Sequence, residues 1–406
     1  MRRMGVRIVA FLSLSSILVA CGGSSVPPPQ TLPPPPTVVV TLPPRPTESR
    51  AGSLDHLRGK PYNFLQIVYY SDFTCAPCVT VARSLLLIHN DHPDTVTLTF
   101  RHAPSRNPAA QISAEAAEAA SAQGKFWEMH DLLFANQAAW VALPEDQLRA
   151  TLREYAAMAG VPDLNRFDAD MANRPYRARL ETAYREAEVR GVTAAPALLF
   201  QEEFYSGRLD ESSLRGVADL ILLQLRQFDQ QPSLFIDLDA RYIATLYTAK
   251  GEVQIELFPR LAPVAVNNFV FLAQRGWYNN ITFHLVKDDL VQTGDPSGTG
   301  LGTAGYFIAD EHDNGLIFER AGLVAMHNTR GVPNSASAQF FITLAPLSEY
   351  DYNRQFTIFG EVTQGLDVLR QLTPRDTSNI LRFPNPPPGD ALERVVVVEI
   401  KLTATP

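Results

Sequence analysis

Phe73-Thr74-Cys75-Ala76-Pro77-Cys78 stands where an apolar run meets a helical pattern. Upstream, Leu65, Ile67, Val68, Tyr69 and Tyr70 read as a buried strand. Downstream, Val79, Val81, Ala82, Leu85, Leu86 and Ile88 recur at helical spacing. The junction therefore places Cys75 at a helix N-terminus, where unpaired backbone N–H groups and the helix dipole favour a thiolate over a thiol. Cys78 follows one turn later, close enough to form a disulfide with Cys75. A strand, a two-cysteine turn and a helix together form a device for exchanging disulfides.

The remaining cysteine, Cys21, has a different setting. Arg2, Arg3 and Arg7 precede an apolar stretch from Ile8 to Ala20, too short to span a bilayer comfortably, which reads as an export signal. It ends in Leu18-Val19-Ala20-Cys21-Gly22, which resembles the lipobox of bacterial lipoproteins. That resemblance implies cleavage before Cys21, acylation of Cys21 and attachment to a membrane, each buried CH₂ of the acyl chains contributing about 0.8 kcal/mol. With Cys21 so used, Cys75 and Cys78 stand alone and no structural disulfide framework is possible. Residues 26–50 hold ten prolines, a composition that cannot build a core and favours the extended polyproline conformation. At about 3.1 Å per residue this stalk reaches roughly 75–80 Å.

The 406 residues suit two folded domains, and the formal charge of −8 falls to about −11 without the three signal arginines. With no dense Lys/Arg run anywhere, nucleic acid is not an expected partner.

In the first domain the two-cysteine turn is followed by a strand over Thr95 to Phe100. Helical segments cover Pro108 to Gln123, Phe126 to Asn136, Glu145 to Ala159, Asp163 to Met171 and Tyr176 to Arg190. Gly191 to Phe200 then turns into another apolar strand, so that strands are interrupted by helices and resumed, an α/β pattern. Four segments carry a resemblance: Ser71-Asp72-Phe73-Thr74-Cys75-x-x-Cys78, Phe100-Arg101-His102, Gln123 through Phe134, and Gly191-Val192-Thr193-x-x-Pro196. Together they resemble the DsbA-like thioredoxin-fold family over about residues 60–228. That family's fold is a thioredoxin core with a helical insertion. The resemblance implies that Cys75 is the nucleophile, Cys78 the resolving cysteine and Pro196 a cis-proline beside the disulfide that helps hold substrate peptide. Ala76-Pro77 departs from the Pro-His pair of the oxidising members, while proline before the second cysteine is what reducing thioredoxins have. Direction depends on the potential of the pair relative to its surroundings, and oxidation, reduction and isomerisation all stay open. No second CxxC exists and the histidines lack ligand spacing, so neither metal nor other cofactor is expected. His102 and His130 read as parts of the fold.

Leu214, Val217, Ile221 and Leu225 give a final helix, and Gln230-Gln231-Pro232-Ser233 breaks it. Beyond lies a mostly β domain. Tyr242 to Tyr247 and Val253 to Phe258 flank a Lys250-Gly251 turn, Pro263 opens a helix, and short apolar strands alternate with Gly-rich loops up to Val395-Val396-Val397-Val398. Gly298, Gly300 and Gly302 have nucleotide-loop spacing but do not sit between strand and helix, so no nucleotide site is read there.

Ala262-Pro263-x-x-x-Asn267-Asn268-Phe269, Tyr278-Asn279-x-Ile281-Thr282-Phe283-His284, Val291-Gln292-x-Gly294-Asp295-Pro296, Ser337-Ala338-Gln339-Phe340-Phe341-Ile342 and Phe356-Thr357-Ile358-Phe359-Gly360 resemble cyclophilins. That family folds as an eight-stranded closed barrel capped by two helices and isomerises peptidyl-proline bonds. The resemblance places Phe283, Gln292, Asn328, Gln339, Phe341 and Phe356 in a proline-binding pocket. It also exposes departures. Leu285 stands where the family has an arginine that donates to the prolyl nitrogen, and the next loop is one residue short, so that the family's pocket phenylalanine either appears as Leu290 or is lost. Phe356 occupies a position often histidine or tyrosine, and the tryptophan equivalent falls near Glu349 or Tyr350. Leucine cannot donate a hydrogen bond, so the resemblance supports either an isomerase or a peptide-holding, chaperone-like module.

The expected division is a signal peptide over 1–20, lipidated Cys21 and linker over 21–52, a DsbA-like domain over 53–232 and a cyclophilin-type domain over 238–406. The expected partners are exported, unfolded polypeptides containing proline and cysteine, a redox partner, and a membrane held through Cys21.

Overall fold

A computed structural model describes residues 55–105, 107–329, 332–347, 355–376 and 388–400. The export segment, Cys21, the proline-rich stretch and the Glu349 and Tyr350 positions lie outside the described residues.

The first sheet forms around a strand with no exposed face. β1 (His56–Arg58) is followed by β2 (Leu65–Ser71), all seven of whose residues are buried, and then by α1 (Ala76–Asp91) and β3 (Val96–His102). β2 and β3 pair in parallel, as strands joined by a helical crossover do. Between β3 and the next strand come α2 (Pro108–Ser121), α3 (Phe126–Ala135), α4 (Gln137–Trp140), α5 (Glu145–Met158), α6 (Leu164–Asn173) and α7 (Arg177–Val189). The chain returns through β4 (Ala197–Phe200) and β5 (Glu203–Phe204) and ends this half with α8 (Glu211–Leu222), which packs on α1. The strand order is β1-β3-β2-β4-β5. Its core joins Ile67, Tyr69, Phe73, Cys78, Leu85 and Phe100 to Met129, Leu133, Leu148 and Leu152 of the helices.

The second sheet begins with β6 (Arg241–Thr248), whose strict alternation buries Tyr242, Ala244, Leu246 and Thr248 on one face, and β7 (Gly251–Leu257). α9 (Pro263–Gln274) follows, then β8 (Ile281–Thr282), β9 (Leu285–Val286), β10 (Leu290–Thr293), β11 (Leu323–Met326), β12 (Phe340–Thr343) and β13 (Ile358–Gln364). α10 (Leu366–Leu369), β14 (Arg375–Asp376) and β15 (Ala391–Ile400) complete it. Every pairing is antiparallel, in the order β14-β9-β10-β12-β11-β13-β7-β6-β15-β8. The expectation of a closed eight-stranded barrel thus meets a curled ten-stranded sheet among the described residues, with no ladder there between β14 and β8. The end strands have two residues each, and each is paired along one edge. A side chain reaches across instead, Thr293 Oγ1 of β10 donating to Thr282 O of β8 at 3.0 Å.

The break read at Gln230-Gln231-Pro232-Ser233 separates the sheets but not the packing. Leu223, in the 3-10 turn after α8, lies in the core of the second sheet. Among the described residues, no helix is long and apolar enough to cross a membrane.

Candidate active sites

Cys75 is the N-cap of α1, and its Sγ accepts the Cys78 backbone N–H at 3.2 Å. Pro77 occupies the first turn, where a missing N–H costs nothing. A disulfide joins Cys75 and Cys78. Cys75 is half-buried with Ala76 and Pro77 exposed beside it, whereas Cys78 is fully enclosed. A client sulfur can therefore reach Cys75 and not Cys78.

The turn is held from both sides. Asp72 Oδ1 accepts from Thr74 N and Thr74 Oγ1 at 2.7 and 2.8 Å. Gln137 Nε2, on α4, donates to Phe73 O and Cys75 O at 2.8 and 3.0 Å, a support with no signal in the sequence. Ala195–Pro196 is a cis peptide. Because Tyr70 pairs with Ala197 across β2 and β4, Pro196 lies at the sheet end from which the Cys75 turn departs.

Behind the turn, His130 Nε2 meets the Tyr69 hydroxyl at 2.7 Å and its Nδ1 meets Asp131 Oδ1 at 2.8 Å. Burial keeps His130 below the ordinary histidine pKa. His102 belongs to a second cluster that spacing did not announce, with ligand-type atoms of His56, His102 and Glu118 all within 4.8 Å. Glu118 Oε1 contacts His56 Nε2 at 2.6 Å and His102 Nε2 at 3.0 Å, while Oε2 meets Arg179 Nε at 2.9 Å. Burial pushes the Glu118 carboxyl up, but the hydrogen bonds from His102 and His56 outweigh it and hold the group well below the usual range. Both carboxylate oxygens are thus engaged by N–H donors, and the cluster fastens α2 to β1 and β3.

In the second half, Gln292 and Gln339 meet directly, Gln292 Nε2 donating to Gln339 Oε1 at 2.9 Å. Gln339 Nε2 donates in turn to Gly300 O and Gly302 O at 3.0 and 2.9 Å. The Gly-rich loop that they hold wraps the fully buried Asp295 carboxylate, which accepts from Ser297 N, Gly300 N and Gly302 N at 2.7–3.0 Å. Positive φ at Gly298 and Gly300 makes that wrapping possible.

Phe341 and Phe356 share one apolar cluster, packed edge-to-face at 5.2 Å between centroids, with Phe318 stacked on Phe341 at 5.7 Å. Leu290 belongs to the cluster and Leu285 packs against it. Asn328 Nδ2 donates to Gln355 O at 2.6 Å beside this cluster. Phe283 does not join them. It is fully buried in the core of the sheet with Phe269 and Tyr278. The alternation through Phe283, His284 and Leu285 cannot be read for facing when β8 and β9 contribute two residues each. No motif marks His327, whose ring stacks on Phe356 at 6.1 Å and has no side-chain hydrogen bond among the described residues. Burial lowers its pKa to about 4.

Residues 243–398 match the family model described as cyclophilin type peptidyl-prolyl cis-trans isomerase/CLD, and residues 53–219 match one described as thioredoxin. Peptidyl-prolyl cis-trans isomerase CYP18-2 of Arabidopsis thaliana is 40% identical over 139 residues, which cover 33% of this chain and 82% of that protein. The chain belongs to the cyclophilin family. Peptidyl-prolyl cis-trans isomerase-like 1 of Mus musculus is 39% identical over 138 residues, 33% of this chain and 81% of its own length. A Cryptosporidium parvum cyclophilin solved in the presence of the dipeptide Ala-Pro is 31% identical, covers 38% of this chain and 98% of its own, and has a TM-score of 0.35. One chain therefore joins a thioredoxin-like domain to a cyclophilin-type isomerase domain, and Gln292, Gln339, Phe341 and Phe356 lie in the cyclophilin half.

Proposed function

We propose that this protein is a membrane-anchored, extracytoplasmic folding factor that exchanges disulfides at Cys75/Cys78 and isomerises prolyl bonds in its cyclophilin domain. The observation that carries the first activity is a half-buried Cys75 at a helix N-terminus, bonded to an enclosed Cys78 on the sheet end that also bears Pro196. A client thiolate attacks Cys75 Sγ, the Cys75–Cys78 bond breaks and Cys78 leaves as the thiolate. A second client thiolate then attacks the client sulfur of the mixed disulfide and releases Cys75. The client dithiol is oxidised to a disulfide while the enzyme disulfide is reduced to two thiols, and the same steps reversed reduce a client. The segment order is that of a DsbA-like enzyme, with a helical insertion between β3 and β4. The partners are exported polypeptides that carry cysteine and proline, together with a redox partner that resets the pair. Lipid on Cys21 supplies the membrane attachment.

Uniting the two chemistries in one chain suits folding outside the cytosol, since disulfide formation and prolyl isomerisation are both slow steps. Cys75→Ser is expected to abolish exchange with a small-molecule disulfide, while Cys78→Ser traps a mixed disulfide. Unchanged exchange in Cys75→Ser would overturn the assignment. Cys21→Ser should move the protein from the membrane fraction to the soluble fraction and remove metabolic labelling by palmitate.

One observation favours a second reading of the cyclophilin half. The side chain at the position of the family's arginine is Leu285, half-buried against the Leu290–Phe341–Phe356 cluster. A pocket without that donor holds proline segments and presents them to Cys75 while adding little rate. Proline-limited refolding separates the readings, because the isomerase accelerates it and the holding module leaves its rate unchanged.

A further inference from the structure

The chain that leaves the thioredoxin-like half does not simply pass to the next sheet. Leu223 is buried in the cyclophilin core. Gln227 Nε2 donates to Thr303 O at 3.1 Å and Phe228 N donates to Ala304 O at 2.8 Å. Arg226 donates to Trp277 O at 3.0 Å with its guanidinium 5.6 Å from the Trp277 ring centroid.

The bonds of Gln227 and Phe228 fall on the Gly-rich loop, and two of its glycines leave room for the approach. A Cβ on Gly302 would strike Asp295 and come within 2.6 Å of Leu223 Cδ2. A Cβ on Gly305 would strike the carbonyl oxygen of Phe228. Gly302 and Gly305 thus answer to close approach on two sides, Asp295 within and residues 223–228 without. Gly300 and Gly302 are also the residues whose carbonyls fix Gln339, which in turn fixes Gln292.

We propose that Leu223 and Gln227, at the end of the thioredoxin-like half, are positioning residues for the isomerase pocket. They brace Gly300–Thr303 from behind, and the braced carbonyls hold the Gln339–Gln292 pair in one arrangement. The cyclophilin unit therefore functionally begins near Leu223, before the break at 230–233. The inference rests on Gln292 and Gln339 being peptide-binding groups of the isomerase site.

The test uses the full chain with Leu223→Ala, Leu223→Met and Gln227→Ala. Hydrogen exchange of residues 294–305 is followed, along with kcat and KM for a proline-containing tetrapeptide. Both alanine variants are expected to speed exchange at Gly300 and Gly302 about tenfold and to raise KM. The loss of kcat/KM should be about two- to tenfold, as for one hydrogen bond or contact of ordinary strength. A partly unfolded enzyme would instead lower apparent kcat alone. Leu223→Met, which keeps the volume, should restore both readings, and disulfide exchange at Cys75 should not change. Exchange in 294–305 that matches wild type in both alanine variants overturns the brace. Absence of isomerisation by the wild-type chain counts against the isomerase reading, and the exchange rates then still decide the brace.

Discussion

Gln292 and Gln339 are joined side chain to side chain at 2.9 Å, each buried, on and beside the paired strands β10 and β12. Gln339 directs its amide N–H groups to two glycine carbonyls and its oxygen to Gln292, which fixes the orientation of the amide and leaves the oxygen one lone pair. Gln339→Leu keeps the bulk and strands three partners at once. At about 1–3 kcal/mol for each buried group left without a partner, the second domain should lose several kcal/mol of stability in urea unfolding. Affinity for a proline-containing tetrapeptide should fall at least tenfold in calorimetry. A variant with wild-type affinity would remove Gln339 from the site.

Glu118 carries the first domain's response to acid. Its folded pKa lies below the ordinary value of 4.5, so the stability it adds is complete above that pH and is lost as pH falls below it. Glu118→Gln leaves His56, His102 and Arg179 facing an amide, and breaking a buried ion pair of this kind costs about 3–5 kcal/mol. Urea midpoints of the first domain at pH 7 should drop accordingly, and the wild-type decline below pH 4.5 should flatten in the variant. An equal midpoint at pH 7 would show that the cluster does not hold α2 to the sheet.

The cyclophilin domain should fail in milder acid. Burial lowers His284 to about 4, with Asp295 opposing that shift and His327 and Arg375 adding to it, and His327 is also lowered to about 4. Above pH 6.5 both imidazoles are neutral whether the chain is folded or not. Between pH 6.5 and 4 the unfolded chain takes up protons that the folded chain refuses, so stability falls as pH falls. The limit is about 3 kcal/mol per histidine. Urea unfolding between pH 7 and 4.5 should show this slope, and His284→Gln should reduce it by about half. A variant with the wild-type slope would clear His284 of the effect.

Much of the fold was legible because its signals are local. Cys75 and Pro77 cap their own helix, the alternation of Tyr242, Ala244 and Leu246 declares a half-buried strand, and Pro263 opens α9 where it stands. What escaped is set by distant partners. Glu115 and Glu118 in an Ala/Glu-rich helix look solvent-facing, yet both are buried because Arg174, Arg179, His56 and His102 arrive from other elements. Phe283 and Phe341 are equally apolar in sequence, and only the curl of the sheet sends one to the core and the other to the cluster beside Gln292. The Gly298–Gly305 loop resembled a nucleotide cradle in spacing, whereas its glycines serve Asp295 and the approach of residues 223–228.

The position of Leu285 gives the most direct test of the isomerase chemistry. It faces Gln292 across β9 and β10 and Asp376 across β9 and β14, and cross-strand partners share a face of the sheet. A guanidinium there would emerge beside the glutamine pair, with the buried Asp376 carboxylate, 3.3 Å from Lys287 Nζ, near enough to lower the cost of its burial. As a prolyl amide twists, its nitrogen regains a lone pair, and a charged donor to that nitrogen contributes about 1.5–3 kcal/mol in the twisted form alone. Leu285→Arg should therefore accelerate isomerisation of a proline-containing tetrapeptide by about ten- to a hundredfold, with little change in KM. Leu285→Met, which has no donor, should stay at the wild-type rate. A folded Leu285→Arg variant with no gain in rate would mean that the missing donor is not what limits this site.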